Sequence, residues 1–223
     1  MTLRWALFDL NGTLLDPSGI GAPLGLGRED SAAALDEAIL LSMAESLSGS
    51  YRPLPELLRA VLLRRDGGPG AGLDEALERA TRMPPYPDAA PALDRLREAD
   101  LRIGVLTNSA TAAAEGALEA AGLRDRVSLV VGSDRIEVFK PDPRLYRLGA
   151  ERTGARLEEI CMIAAHAWDL MGAGRVGMRT AWVAREEKRW LEYVPEPDAR
   201  GESLDQTARA IVASDAKGQR REV

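Results

Sequence analysis

The chain predicts an α/β fold: a Rossmann-like parallel sheet of about five strands carrying an inserted helical cap. Three observations predict it. Short apolar runs recur with helical stretches between them, the rhythm stops over one long interval, and polar residues gather just after the apolar runs. A length of 223 residues suits one such core with one sizeable insertion.

The apolar runs lie at residues 5–8, 103–106, 127–131, 160–165 and 181–183. Each is short, nearly continuous and bounded by turn formers, the pattern of a strand buried on both faces. Helices are expected at about residues 89–100, 111–122, 142–153 and 169–177, with Gly122 and Gly177 as their C-terminal stops. Between about residues 17 and 88 no β run occurs. There Leu35, Ile39, Met43 and Leu47 form an apolar stripe at i, i+4, i+8 and i+12 on a helix ending near Gly49. A second helix is expected over about 53–65 and a third up to about Met83, with the glycine-rich segment 67–72 as an irregular loop. Pro84, Pro85 and Pro87 mark the return to the core. The expected division is therefore a catalytic core of residues 1–16 and 89–223 and a helical cap of residues 17–88, with a polar tail, KGQRREV, that frays.

Composition excludes several classes. The net charge is -6 and the 29 lysines and arginines are scattered, which argues against a nucleic-acid surface. No apolar run approaches membrane-spanning length, and Asp9 interrupts the N-terminal apolar stretch too early for a secretory signal. A cytoplasmic protein is expected. The single cysteine, Cys161, excludes an internal disulfide and a thiolate metal cluster, and its apolar setting reads as inert core.

In a doubly wound sheet, ligands bind outside the carboxyl ends of the strands. Here those ends read FDLNGTLLD from Phe8, VLTNS ending at Ser109, and AAHAWDL containing His166 and Asp169, while Lys140 precedes Pro141-Asp142-Pro143. A parallel sheet would bring together an Asp, hydroxyls, a Lys and a distal Asp from separate segments.

The segments FDLNGTLLD, VLTNS, FKPDPRLY and AAHAWDLMGAGRVGMRTAWVAR resemble, in order and approximate spacing, the four motifs of the haloacid dehalogenase superfamily, and look most like its type II 2-haloacid dehalogenase branch. The resemblance implies that Asp9 is a carboxylate nucleophile forming a covalent ester. It implies that Lys140 offsets the charge of Asp9 and Asp169, that Thr13 and Thr107 offer hydroxyls, and that Asn11, Asn108 and Tyr146 lie at the substrate. Strand-end turn capping is the plainer role for Asp9, Thr13 and Thr107, a solvated loop charge for Lys140 and helix packing for Tyr146. His166, the only histidine, lies three residues before Asp169 and is placed to position or deprotonate water; its plainer role is a neutral loop strut. Trp168 is expected only to wedge its loop against the core.

Two departures from the superfamily's phosphatases shape the reading. Asn11 stands where they carry a proton-transferring Asp, and Ala165 stands where they carry a carboxylate for magnesium. A halide leaving group needs no proton, and magnesium takes carboxylate oxygens. The expectation is thus a metal-independent hydrolase, without cofactor, acting on a small anionic 2-halocarboxylic acid. The alternatives are a magnesium-dependent phosphatase and a catalytically weakened binding module. The branch also implies a cap arginine for the departing halide, where this chain has Leu35, with Arg28 and Arg52 as substitutes, and it implies a homodimer.

Overall fold

The computed structural model describes residues 2–66 and 72–219. Its strands are β1 (Trp5–Phe8), β2 (Arg102–Thr107), β3 (Leu129–Gly132), β4 (Ile160–Ala164), β5 (Arg179–Val183) and β6 (Ala199–Gly201). They form one sheet in the order β3-β2-β1-β4-β5-β6, and every pairing is parallel. The chain moves outward from β1 to β3, then returns to the other side of β1 to lay down β4. This reversal opens a crevice at the carboxyl ends of β1 and β4.

Alternation along the strands divides the core into two layers. Ala6, Phe8, Ile103, Val105, Cys161 and Ile163 face one way, against α4 (Ala89–Glu98), α5 (Thr111–Ala120) and α8 (Leu204–Gln219). Trp5, Leu7, Leu106, Met162 and Ala164 face the other, against α6 (Pro143–Thr153) and α7 (Ala167–Val176). Asp142 caps α6 by accepting the Arg144 N–H at 2.8 Å, with Pro143 at the first helical position. The helices α5 and α7 stop at the glycines expected from the sequence.

Between β1 and α4 lie α1 (Arg28–Leu47), α2 (Leu54–Asp66) and α3 (Leu73–Thr81). The chain leaves for them and returns side by side. Leu15 and Pro85 form an antiparallel bridge, Asp16 N–H donates to Pro84 O at 2.8 Å, and Tyr86 N–H donates to Leu14 O at 2.9 Å. Leu35, Ile39, Leu58 and Val61 join the same buried apolar cluster as Phe8 and Ala114, so the helices sit against the sheet rather than above open solvent. Tyr51 stacks on Phe139 with ring centroids 4.8 Å apart, and its hydroxyl lies 3.1 Å from Ser133 Oγ.

Several expectations need correction. The sheet has a sixth strand, the three-residue β6, and α8 packs beside it. Strand β3 begins at Leu129 rather than at Val127, which closes a preceding turn, and β5 begins two residues earlier than expected. The α1 stripe fails at its far end, because Leu47 is 90% exposed. Each i+4 step advances about 40° around a helix, so three steps carry Leu47 about 120° away from Leu35. The buried face instead runs through Ser31, Ala34, Leu35, Ala38, Ile39 and Ser42. The expected fraying tail begins inside α8, which continues to Gln219, while residues 67–71 of the glycine-rich loop and 220–223 lie outside the described residues.

Candidate active site

Asp9 is the first residue beyond β1, and its N–H still donates to Ile163 O of β4 at 2.9 Å. The sheet ladder itself therefore fixes where its carboxylate emerges. Lys140 reaches it from the segment before α6. The ammonium is fully buried and spends its three protons on Asp9 Oδ1 at 2.7 Å, Asp169 Oδ2 at 2.5 Å and Leu106 O at 2.9 Å. Burial alone would lower the Lys140 pKa, but the charges of Asp169 and Asp9 outweigh it and hold the group above its ordinary 10.5. Lys140 is thus a fixed cation at neutral pH.

The remaining carboxylate oxygens are also held. Thr13 Oγ1 donates to Asp9 Oδ2 at 2.9 Å and accepts the Ala165 N–H at 3.0 Å, tying the loops after β1 and β4 together. Tyr146 donates to Asp169 Oδ1 at 2.7 Å, and burial pushes its phenol well above 10.0, so it stays a neutral donor. This contact needs Gly172 in α7, since a Cβ there would lie 2.6 Å from the Tyr146 hydroxyl oxygen. Asp169 is fully enclosed; burial raises its pKa against the opposing pull of Lys140.

Tyr146 departs from expectation. Its side chain has no exposed surface and is committed to Asp169, so it stands behind the reacting groups rather than against a substrate. Thr107 accepts the Ser109 N–H at 3.1 Å, which shapes the turn after β2. Asn108 Oδ1 accepts the Lys140 N–H at 2.7 Å, while its Nδ2 is a buried donor with no partner among the described residues. Asn11 Nδ2 donates to Ser109 Oγ at 3.1 Å, a partner that the sequence did not single out.

Two cavities flank this cluster. One, of about 300 Å³, is lined by Asn11, Gly12, Arg28, Leu35, Asp36 and His166 among others. The other, about 70 Å³ and mostly apolar, touches Asn11, Leu35, Leu58, Met83 and Ser109. Leu35 faces both. Arg28 reaches the larger cavity but pairs with Asp16 at 3.2 Å, and Arg52 pairs with Glu45 and Glu56 along a separate groove. His166 Nδ1 lies 3.4 Å from Glu187 Oε1, and His166 Nε2 lies 3.8 Å from Asp36 Oδ1. Trp168 stacks on the His166 ring and packs partly buried against the core. Burial pushes the Cys161 thiol up, in keeping with inert core.

The donor set does not fit magnesium. The space between Asp9 and Asp169 is filled by an ammonium, Asn11 and Ala165 offer no further carboxylate, and the described residues hold no group of three or more His, Cys, Asp or Glu arranged for a metal.

Over residues 3–177 the chain matches the haloacid dehalogenase-like hydrolase family. It is 30% identical over 203 residues to (S)-2-haloacid dehalogenase 1 of Pseudomonas sp. (strain CBS-3), covering 83% of this chain and 86% of that protein. It is 29% identical over 199 residues to (S)-2-haloacid dehalogenase 4A of Burkholderia cepacia, covering 83% and 84%. The L-2-haloacid dehalogenase of Xanthobacter autotrophicus with chloropropionic acid covalently bound superposes with a TM-score of 0.84 at 25% identity, over 93% of this chain and 97% of that one. The family match runs from β1 through the inserted helices to the end of α7, and the chain belongs to the haloacid dehalogenase-like hydrolase family.

Proposed function

We propose that this chain is a cytoplasmic, metal-independent dehalogenase of small (S)-2-halocarboxylic acids, with Asp9 as its nucleophile. The observation that carries the reading is the buried Lys140 ammonium clamped between Asp9 and Asp169. It sets a fixed positive charge 2.7 Å from the Asp9 carboxylate in a site almost closed to water.

In the first step an Asp9 carboxylate oxygen forms a bond to the substrate α-carbon while the carbon–halogen bond breaks and halide leaves with its electron pair. No proton is required, which suits a site with Asn11 and Ala165 at the positions discussed above. In the second step water attacks the carboxyl carbon of the Asp9 ester, releasing the 2-hydroxy acid and regenerating the carboxylate. Attack opposite the halide inverts the α-carbon, so an (S)-haloacid gives an (R)-hydroxy acid. The unpartnered Asn108 Nδ2 supports a place for the substrate carboxylate near the turn after β2. Residues 17–88 act as the cap over a core of 1–16 and 89–223, and the protein works as a homodimer, which light scattering tests.

The deciding experiment is a single turnover of (S)-2-chloropropionate with excess enzyme in ¹⁸O-water. The label should enter the peptide containing Asp9 while the product hydroxyl remains unlabelled. Label in the product alone would replace the covalent route by direct attack of water. Magnesium-stimulated release of phosphate from a generic ester, without halide release, would favour the phosphatase.

A further inference from the structure

His166 is the residue before α7, and its ring is largely enclosed. Glu187, in the segment after β5, approaches it with defined geometry: Oε2 accepts the Ala167 N–H at 3.0 Å, and Oε1 lies 3.4 Å from His166 Nδ1. One carboxylate oxygen is thus anchored on an otherwise unsatisfied N–H at the start of a helix, and the other is aimed at the ring. Trp168 sets the plane of the imidazole, stacking at 5.9 Å with an interplanar angle of 15°. The far nitrogen, Nε2, lies 3.1 Å from where a Cβ on Gly12 would sit, so the glycine, with φ of +80°, gives the ring its room. Nε2 also lies 3.8 Å from Asp36 Oδ1, and His166, Gly12 and Asp36 all line the cavity shared with Asn11 and Ala165.

We propose that Glu187 is a positioning residue that keeps the His166 proton on Nδ1 and turns the Nε2 lone pair to the cavity, making His166 the base for hydrolysis of the Asp9 ester. This rests on the dehalogenase reading. Nε2 takes a proton from water as the water oxygen bonds to the Asp9 carboxyl carbon. When the tetrahedral adduct collapses, the bond to the substrate oxygen breaks and the imidazolium returns that proton to the departing alkoxide. The product is the 2-hydroxy acid, and the Asp9 carboxyl loses its own proton to solvent.

The charges around the ring tie the base to the reaction cycle. Asp36 of α1 and Glu187 beyond β5 contact the ring, the charge of Asp9 acts on it from the end of β1, and Glu186 and Arg28 line the same cavity. Burial lowers the His166 pKa, but the Glu187 contact and the charges of Asp9 and Asp36 outweigh it and raise the value above 6.5. Esterification removes the Asp9 charge. One of the anions holding the ring protonated therefore disappears at the moment a free base is needed.

The test uses Glu187→Gln, whose amide oxygen can still accept the Ala167 N–H. Rapid quench with (S)-2-chloropropionate follows the halide burst, mass spectrometry follows decay of the Asp9 ester, and ¹⁵N spectra follow the imidazole, the only one in the chain. The halide burst should stay within about twofold, whereas ester decay at neutral pH should slow about tenfold. The ascending limb of ester decay with pH should move down by about half a pH unit, and the Nδ1-protonated tautomer should lose its dominance. His166→Ala should slow ester decay by about 10²-fold with the burst retained. An unmoved imidazole titration and decay limb in Glu187→Gln would overturn the positioning role alone. A wild-type enzyme with no halide burst on any haloacid would overturn the dehalogenase reading and this role with it.

Discussion

His166 immediately precedes α7 and Asp169 sits in its first turn, three residues on, yet they are held in opposite ways. Around Asp169 the partners come from α6 and the segment just before it, the contacts are 2.5 to 2.7 Å, and the side chain has no exposed surface. Around His166 they come from an inserted helix and the segment after β5, the separations are 3.4 and 3.8 Å, and Asp36 is 57% exposed. The sheet, with its ladder of hydrogen bonds, fixes the groups that must not move during displacement. The looser rim suits groups that must admit water and release product.

The comparison breaks most severely if Lys140 is removed. Lys140→Met leaves two carboxylates buried without their cation, and turnover should fall by at least about 10³-fold. Stability should drop by about 3–5 kcal/mol, the cost of breaking a buried pair. Retained far-UV dichroism with a lowered urea midpoint checks both; a near-normal rate would remove Lys140 from the chemistry. Tyr146→Phe should cost about 1.5–3 kcal/mol by deleting a hydrogen bond to a charged group, and should reduce the rate about tenfold through a loosened Asp169. Calorimetry beside steady-state kinetics reads the pair.

A pH prediction sharpens the contrast, because the tight corner should dominate alkaline unfolding. Lys140 lies above its unfolded 10.5, Tyr146 well above its unfolded 10.0, and burial pushes Tyr86 up to about 12. In each case the folded state holds the proton more firmly. Their contributions are therefore full below the unfolded values and are lost as pH rises through the folded ones. Urea midpoints should be flat from pH 8 to near 10 and fall beyond it, less steeply in Lys140→Met. The smallest effect belongs to the cap surface. Arg79→Ala breaks an exposed i,i+4 pair with Glu75 and should change stability by no more than about 0.5 kcal/mol, leaving turnover as it was.

How much of this was legible in the sequence depended on whether the signal was local. The first, second and fourth strands are apolar runs between turn residues, and the groups that converge on Lys140 follow those runs or precede a proline-marked helix. The β6 segment is only Ala-Arg-Gly, flanked by Pro197, Asp198 and Glu202, and it pairs because β5 offers an edge rather than because its own residues favour a strand. The helix α8 buries Leu204, Thr207, Ala208 and Ile211, a spaced face that a residue-run search overlooks. Tyr146, expected at the substrate, is bonded to Asp169, since which face of α6 turns inward is set by packing on α7. Glu187 gave no signal at all. It lies 21 residues after His166 in a charged stretch, and only the close of the chain over β5 brings the two together.

The paired crossing at Leu15 and Pro85 carries a consequence for how such a protein can change over generations. Where the outgoing and returning strands are already hydrogen-bonded, the loop between them is closed in advance. Lengthening or exchanging it costs little, since closure entropy grows only slowly with length. One contiguous stretch of gene can therefore be replaced without disturbing the register of any core strand. A lineage is free to trade its guest preference while the sheet that positions Asp9 stays as it was.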